Sequence, residues 1–192
     1  LTTLPLVLAS GSPQRKAILE RLGLPFTVRP AEVEELDRGD PGEVALENAL
    51  RKARAARARA SAAQEAVLGC DTLVALGGRI YGKPAGEREA LTTLEALSGA
   101  THEVVSGLAL LLPGEEERTA VARTTVTFRE LDGELLNWYL ARGEWNGRAG
   151  GYAIQGAGAA LVRDVQGDYE NVVGLPLATL LDLWPELIFA CK

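Results

Sequence analysis

Five short segments of this chain carry side chains of the kinds that handle phosphate. Ser10-Gly11-Ser12-Pro13-Gln14-Arg15-Lys16 places two hydroxyls and two cations where a glycine loop runs into a helix start. Free backbone N–H groups and the positive end of a helix dipole suit an anion there. The GxxxxGK[ST] spacing of a P-loop is missing, and the same residues also describe an N-capped surface helix. Asp71-Thr72 sits inside the apolar run VLGCDTLVAL. A carboxylate in such a run must face a cleft, a metal or a donor, because an unpaired buried charge is costly, unless it marks an exposed strand end. Gly82-Lys83-Pro84 is a rigid turn that pins one lysine in place. Glu34-Glu35 precede a long helix bearing Lys52. Acidic residues there complement a helix dipole, but Glu35 and Asp71 are also the hard oxygen donors that Mg²⁺ takes alongside substrate phosphates. Gln155, in the glycine-dense run Ala149–Gly156, offers an amide donor and acceptor suited to reading the edge of a pyrimidine ring. A glycine loop needing positive φ explains that run equally well.

Composition narrows the field. The chain has 192 residues, 47% of them hydrophobic and 24% charged, which is globular composition. It has 4 Lys against 16 Arg, and three of the lysines (Lys16, Lys52 and Lys83) fall in or beside these segments. A compact ammonium suits a tight phosphate pocket better than a planar guanidinium does. The net charge of −6 argues against an electrostatic nucleic-acid binder, which needs a basic face. Two cysteines are too few for a disulfide framework or a thiolate zinc site. One histidine, His102, excludes a His-rich metal site. The first residues lack the basic start and apolar run of a signal peptide, and no run approaches the ~20 apolar residues of a membrane span. The expectation is a cytoplasmic protein with no membrane partner.

The elements that must position these residues alternate at first and then pair as hairpins. Leu6–Ala9 reads as a strand, followed by a helix capped by Ser12, opened by Pro13 and stopped by Gly23. Leu24–Arg29 reads as a second strand, and Glu43 to about Ala63 as one long Ala- and Arg-rich helix. Ala66–Leu76 reads as a strand interrupted at Gly69–Thr72, turning at Gly77-Gly78. A helix over Glu87–Leu97 precedes strands at His102–Leu112 and Arg118–Arg129. Asp132 caps a further helix, Gly147–Gly158 reads as loop, and Ala159–Val165 as strand. Gly167–Pro176 reads as loop and Leu177–Ile188 as mostly helix. The pattern predicts an α/β fold: one domain over residues 1–192, with a mixed elongated sheet flanked by helices and a cleft between two lobes.

In order along the chain, LASGSPQRKAILERLGL, EE, ENALRKARA, GCDTLVAL, GKP, LSGATHEVVSGLAL, VTFREL, RAGGYAIQGAGA and NVVGLPL resemble the Maf proteins. These are nucleoside triphosphate pyrophosphatases once described as septum-formation inhibitors. The resemblance implies a nucleotide cleft and hydrolysis of a nucleoside triphosphate to monophosphate and diphosphate with a divalent metal, Mg²⁺ or Mn²⁺. It implies Asp71 as general base, Glu35 near the metal with Asp71, and Ser10, Gly11, Ser12, Arg15, Lys52 and Lys83 along the phosphates. It also implies a homodimer.

Subtypes of the family differ in base preference. The dTTP/UTP type looks like SPRR, DT and IQG, and the 7-methyl-GTP type like SPWR, DQ and SEG. Asp71-Thr72 and Ile154-Gln155-Gly156 resemble the former, while Gln14 departs from both. Gln14, Thr72 and Gln155 are therefore the expected selectivity positions. The expectation is a dTTP/UTP pyrophosphatase acting on a free nucleotide, not on nucleic acid. The alternatives are a 7-methyl-GTP-type enzyme and a nucleotide-binding regulator of cell division without turnover.

Overall fold

The computed structural model describes residues 4–59, 64–114 and 116–191. Their strands are β1 (Leu6–Leu8), β2 (Phe26–Val28), β3 (Ala66–Leu76), β4 (Arg79–Tyr81), β5 (Thr101–Leu111), β6 (Glu117–Phe128) and β7 (Val162–Gln166). All join one mixed sheet of order β2-β1-β3-β5-β6-β7, with β4 beside β3. β2, β1 and β3 are parallel, and the other pairings are antiparallel. The helices are α1 (Pro13–Arg21), α2 (Pro41–Ala58), α3 (Glu87–Leu97), α4 (Gly133–Leu140), α5 (Tyr169–Val173) and α6 (Leu177–Leu183). Among the described residues no helix is long and apolar enough to cross a membrane.

Local chemistry sets many of the boundaries. Ser12 caps α1, accepting from the Arg15 N–H, with Pro13 at the first helical position. Asp40 caps α2 through the N–H groups of Gly42 and Glu43, so that helix begins two residues earlier than its Ala/Arg run suggests. The expected extension to Ala63 lies partly outside the described residues. Gly77 and Gly78 both take positive φ and close the β3–β4 hairpin, as a two-residue turn of this hand requires.

Four expectations need correction. β3 is continuous through Gly69–Thr72, because partners from other elements answer Asp71 and the strand has no reason to break. Residues 157–161 form a 3-10 turn, so β7 begins at Val162. The stretch 167–176 contains α5, which Asp168 caps and Gly174 ends at φ 132°. The C-terminal helix stops at Leu183 and continues as a 3-10 segment, Pro185–Cys191, because a residue before proline avoids the α region.

The sheet buries both faces. On one, Leu6, Leu8, Leu68, Cys70 and Leu108 pack with Ile18 and Leu19 of α1 and Leu180 of α6. Farther along that same face a second cluster joins Val74, Val104, Val126 and Phe128 to Leu94 of α3 and Leu136 and Tyr139 of α4. On the other face α2 lies unusually close. Its Ala45, Ala49 and Ala53 are fully buried, and a Cβ on Gly69 or Gly107 would collide with the backbone carbonyls of Ala49 and Ala45. Glycine in the sheet and alanine on the helix make one close-packed seam, which sets how deep α2 can place its longer side chains.

Candidate active site

β3 is paired unevenly along its outer edge. The β1 ladder ends at Leu8 opposite Leu68, and the β4 ladder starts at Tyr81 opposite Val74. Between them, over residues 69–73, β3 has no strand neighbour on that side among the described residues. A cleft of about 380 Å³ opens at this notch. Its wall includes Ser10, Gly11 and Ser12 from the β1–α1 connection, Gln14 and Arg15 from the first turn of α1, and Glu35, Lys52, Thr72, Lys83 and Gln155 from elsewhere. The chain thus brings together residues up to 145 positions apart in sequence.

Asp71 sits behind Lys52 rather than in the cleft wall, 5% exposed. The close seam explains its partners. Asn48 and Lys52 are one helical turn apart on α2, beside the buried alanines. Lys52 Nζ donates to Asp71 Oδ1 at 2.6 Å, and Asn48 Nδ2 donates to Asp71 Oδ2 at 3.0 Å. Lys52 also pairs with Glu35 Oε1 at 2.8 Å. Asn48 does more than satisfy Asp71. Its Oδ1 accepts from the Leu36 N–H at 2.7 Å and its Nδ2 donates to the Leu36 carbonyl at 3.0 Å. That clasp ties the acidic stretch to α2 and sets Glu35 beside Lys52. Each carboxylate oxygen has two acceptor sites, so Asp71 keeps capacity for a further proton donor.

Strand alternation turns Thr72 to the opposite face. Its hydroxyl accepts from Arg15 Nη2 at 3.1 Å and lies 2.9 Å from the Ser106 hydroxyl. Arg15 also donates through Nε to the Gly174 carbonyl at 2.8 Å and through Nη1 to Ser10 Oγ at 2.9 Å. Arg15 is therefore held by neutral acceptors alone, and its charge is not cancelled. Cys70 lies fully buried with Sγ 3.5 Å from the Gly174 carbonyl. Burial pushes its thiol pKa up, so it packs rather than reacts.

Lys83 is exposed at the cleft mouth, and Gln155 is exposed with its amide unpaired among the described residues. Ser12 Oγ donates to Gln14 Oε1 at 3.0 Å, which fixes the Gln14 side chain. Lys16 does not join the site, since α1 turns it outward to an exposed pair with Glu20. Three residues in or behind the cleft escape a reading by motif. Asn48 lies one helical turn before Lys52, and that spacing was the available signal. Arg148 lines the cleft from the 3-10 turn Ala149–Gly151. Tyr152 lines it too, and its hydroxyl lies 3.0 Å from His102 Nε2. Burial pushes His102 down to about 4, so its ring is neutral at pH 7.

The fold and site together define a class: an α/β protein with a mixed sheet and an edge cleft in which cations outnumber carboxylates, as a polyanionic substrate demands. Comparison with known proteins gives the family. A family model described as Maf-like protein matches residues 5–187. A dTTP/UTP pyrophosphatase of Symbiobacterium thermophilum is 46% identical over 90% of this chain and 88% of its own length. One from Deinococcus radiodurans is 45% identical over 92% and 90%, and one from Pyrococcus furiosus 42% identical over 93% of each chain. Among solved structures, a HAM1 protein from Coxiella burnetii aligns over 65% of this chain and 73% of its own, with a TM-score of 0.47 and 21% identity. The chain belongs to the Maf family.

Proposed function

We propose that this protein hydrolyses dTTP and UTP to the nucleoside monophosphate and pyrophosphate. The observation that carries the reading is Asp71, buried yet paired with Lys52 and Asn48, behind a cleft whose Arg15 and Lys83 have no ion-pair partner among the described residues.

In this reaction the water oxygen bonds to the α-phosphorus, and the bond from that phosphorus to the bridging oxygen of the β-phosphate breaks. The water proton passes to Asp71. Charge builds on the phosphate oxygens as the leaving group departs, and Arg15, Lys52 and Lys83 stabilise it, which is the main task in phosphoryl chemistry. Lys52, bonded to Asp71 at 2.6 Å, holds that carboxylate in place to receive the proton. Ser10, Gly11 and Ser12 line the phosphate path. Thr72 and Gln155 meet the pyrimidine edge, and Gln14, held by Ser12, borders it.

Glu35 and Asp71 converge on one ammonium, and no third acid, histidine or cysteine joins them into a metal cluster among the described residues. Two carboxylates with no further protein donor fit Mg²⁺ or Mn²⁺ sharing its shell with substrate phosphates, not a closed protein cage. Such an ion supplies Lewis-acid polarisation of a phosphoryl oxygen.

The test is pyrophosphate release with Mg²⁺ from dTTP, UTP, ATP, GTP and 7-methyl-GTP. The reading expects dTTP and UTP to be cleaved fastest, since a site that hydrogen-bonds one edge rejects analogues lacking it. Fastest release from 7-methyl-GTP would reassign the subtype. Binding of nucleotide with no release from any of the five would make the chain a regulator instead.

A further inference from the structure

Arg148 is the cleft cation left without a role. It lines the cleft, its Nε is buried with no hydrogen-bond partner, and no carboxylate pairs with it among the described residues. The acids that might answer it are engaged elsewhere. Glu144 Oε2 accepts the Ala157 N–H at 2.7 Å, and Glu35 pairs with Lys52. A buried donor without an acceptor is destabilising, so its place in a cleft wall points to an acceptor brought by the ligand.

The backbone says which part of the ligand that is. The Gly150 N–H donates to the Gly82 carbonyl at 3.0 Å, so the turn carrying Arg148 is bonded to the turn carrying Lys83. Gly150 takes φ 66°, and a Cβ there would press into Val74 of β3, so the turn carrying Arg148 also packs closely on the sheet. Two cations with no carboxylate partner among the described residues are thus carried on linked turns in one cleft, where an anion of at least two charges can pair with both. Pyrimidine edges and sugar hydroxyls carry no such charge. A planar guanidinium can also grip phosphate oxygens in bidentate fashion.

We propose that Arg148 and Lys83 form the seat of the leaving diphosphate, so that inorganic pyrophosphate binds the cleft by itself and competes with the triphosphate. This rests on the proposed reaction for its biological meaning but not for its test. Pyrophosphate and dTMP are titrated calorimetrically, each alone, into wild type, Arg148→Gln and Arg148→Lys, with circular dichroism confirming each fold. Wild type is expected to bind pyrophosphate, Arg148→Gln to weaken it at least tenfold, and Arg148→Lys to weaken it less, with dTMP affinity unchanged throughout. Unchanged pyrophosphate affinity in a folded Arg148→Gln overturns the proposal, as does a loss confined to dTMP, which would assign Arg148 to the α-phosphate, sugar or base of the nucleotide. If Arg148→Gln does not fold, unchanged affinity in Arg148→Lys overturns it equally. Because no turnover is measured, a wild type that binds pyrophosphate but cleaves no dTTP sinks the reaction and leaves this seat standing.

Discussion

On the α2 face of β3, Asp71 is enclosed by an ammonium and an amide, and its charge is spent on groups the chain itself supplies. One residue later, on the opposite face, Thr72 joins a network of hydroxyls and a carbonyl around Arg15, whose charge is left for the ligand. The first arrangement holds a reacting group in one orientation. The second holds a cation in position without weakening it. Both lie at the notch in the sheet edge, where the cleft meets Thr72 directly and Asp71 through Lys52.

The sharpest way to break the contrast is Asp71→Asn, which keeps the shape and removes the proton acceptor. Turnover of dTTP should fall by about 10²–10⁴, measured as kcat from pyrophosphate release, with the fold retained by circular dichroism. Near-full kcat would remove Asp71 from the reaction.

Next in size is Gly69→Ala, which acts on the seam rather than on the chemistry. Its Cβ meets the Ala49 carbonyl, a backbone atom that cannot swing aside. Overpacking of this kind costs about 1–3 kcal/mol. The melting temperature should fall, and kcat with it, as α2 lifts Asn48 and Lys52 away from Asp71. A variant with wild-type stability and rate would show that the close approach of α2 is not needed.

The smallest effect belongs to the neutral face. Thr72→Val removes one of the three side-chain bonds that hold Arg15. A hydrogen bond to a charged group is worth about 1.5–3 kcal/mol, but two anchors remain. The loss should therefore appear as a roughly tenfold fall in kcat/KM for dTTP, with a narrowed preference over ATP. A loss as large as that of Asp71→Asn would erase the distinction between the faces.

Much of this was written locally in the chain. Ser12 with Pro13, the Gly77-Gly78 pair and the Asp132 cap each act through neighbours one to four residues away, so they could be read before any tertiary contact was known. The cleft residues tied to motifs were legible for the same reason. What escaped depends on distant partners. β3 looked broken at Asp71 because its compensation comes from α2, 19 and 23 residues earlier. α5 looked like loop because five residues are too few to show a helical period. Asn48 and Arg148 looked ordinary, one in an Ala-rich helix and one before a glycine run. Their importance lies in the Leu36 clasp and in the bond between Gly150 and Gly82, neither of which any sequence spacing encodes.

The pleat of β3 has a further consequence. Because adjacent positions look into separate compartments, residue 72 can be exchanged without disturbing the environment of residue 71. A lineage built on this strand can vary the residue at 72 while leaving the Asp71–Lys52–Asn48 contacts intact. Deleting a single residue upstream within β3 would do the reverse, turning the acid into the hydroxyl network and the hydroxyl toward the lysine, and both capacities would vanish together.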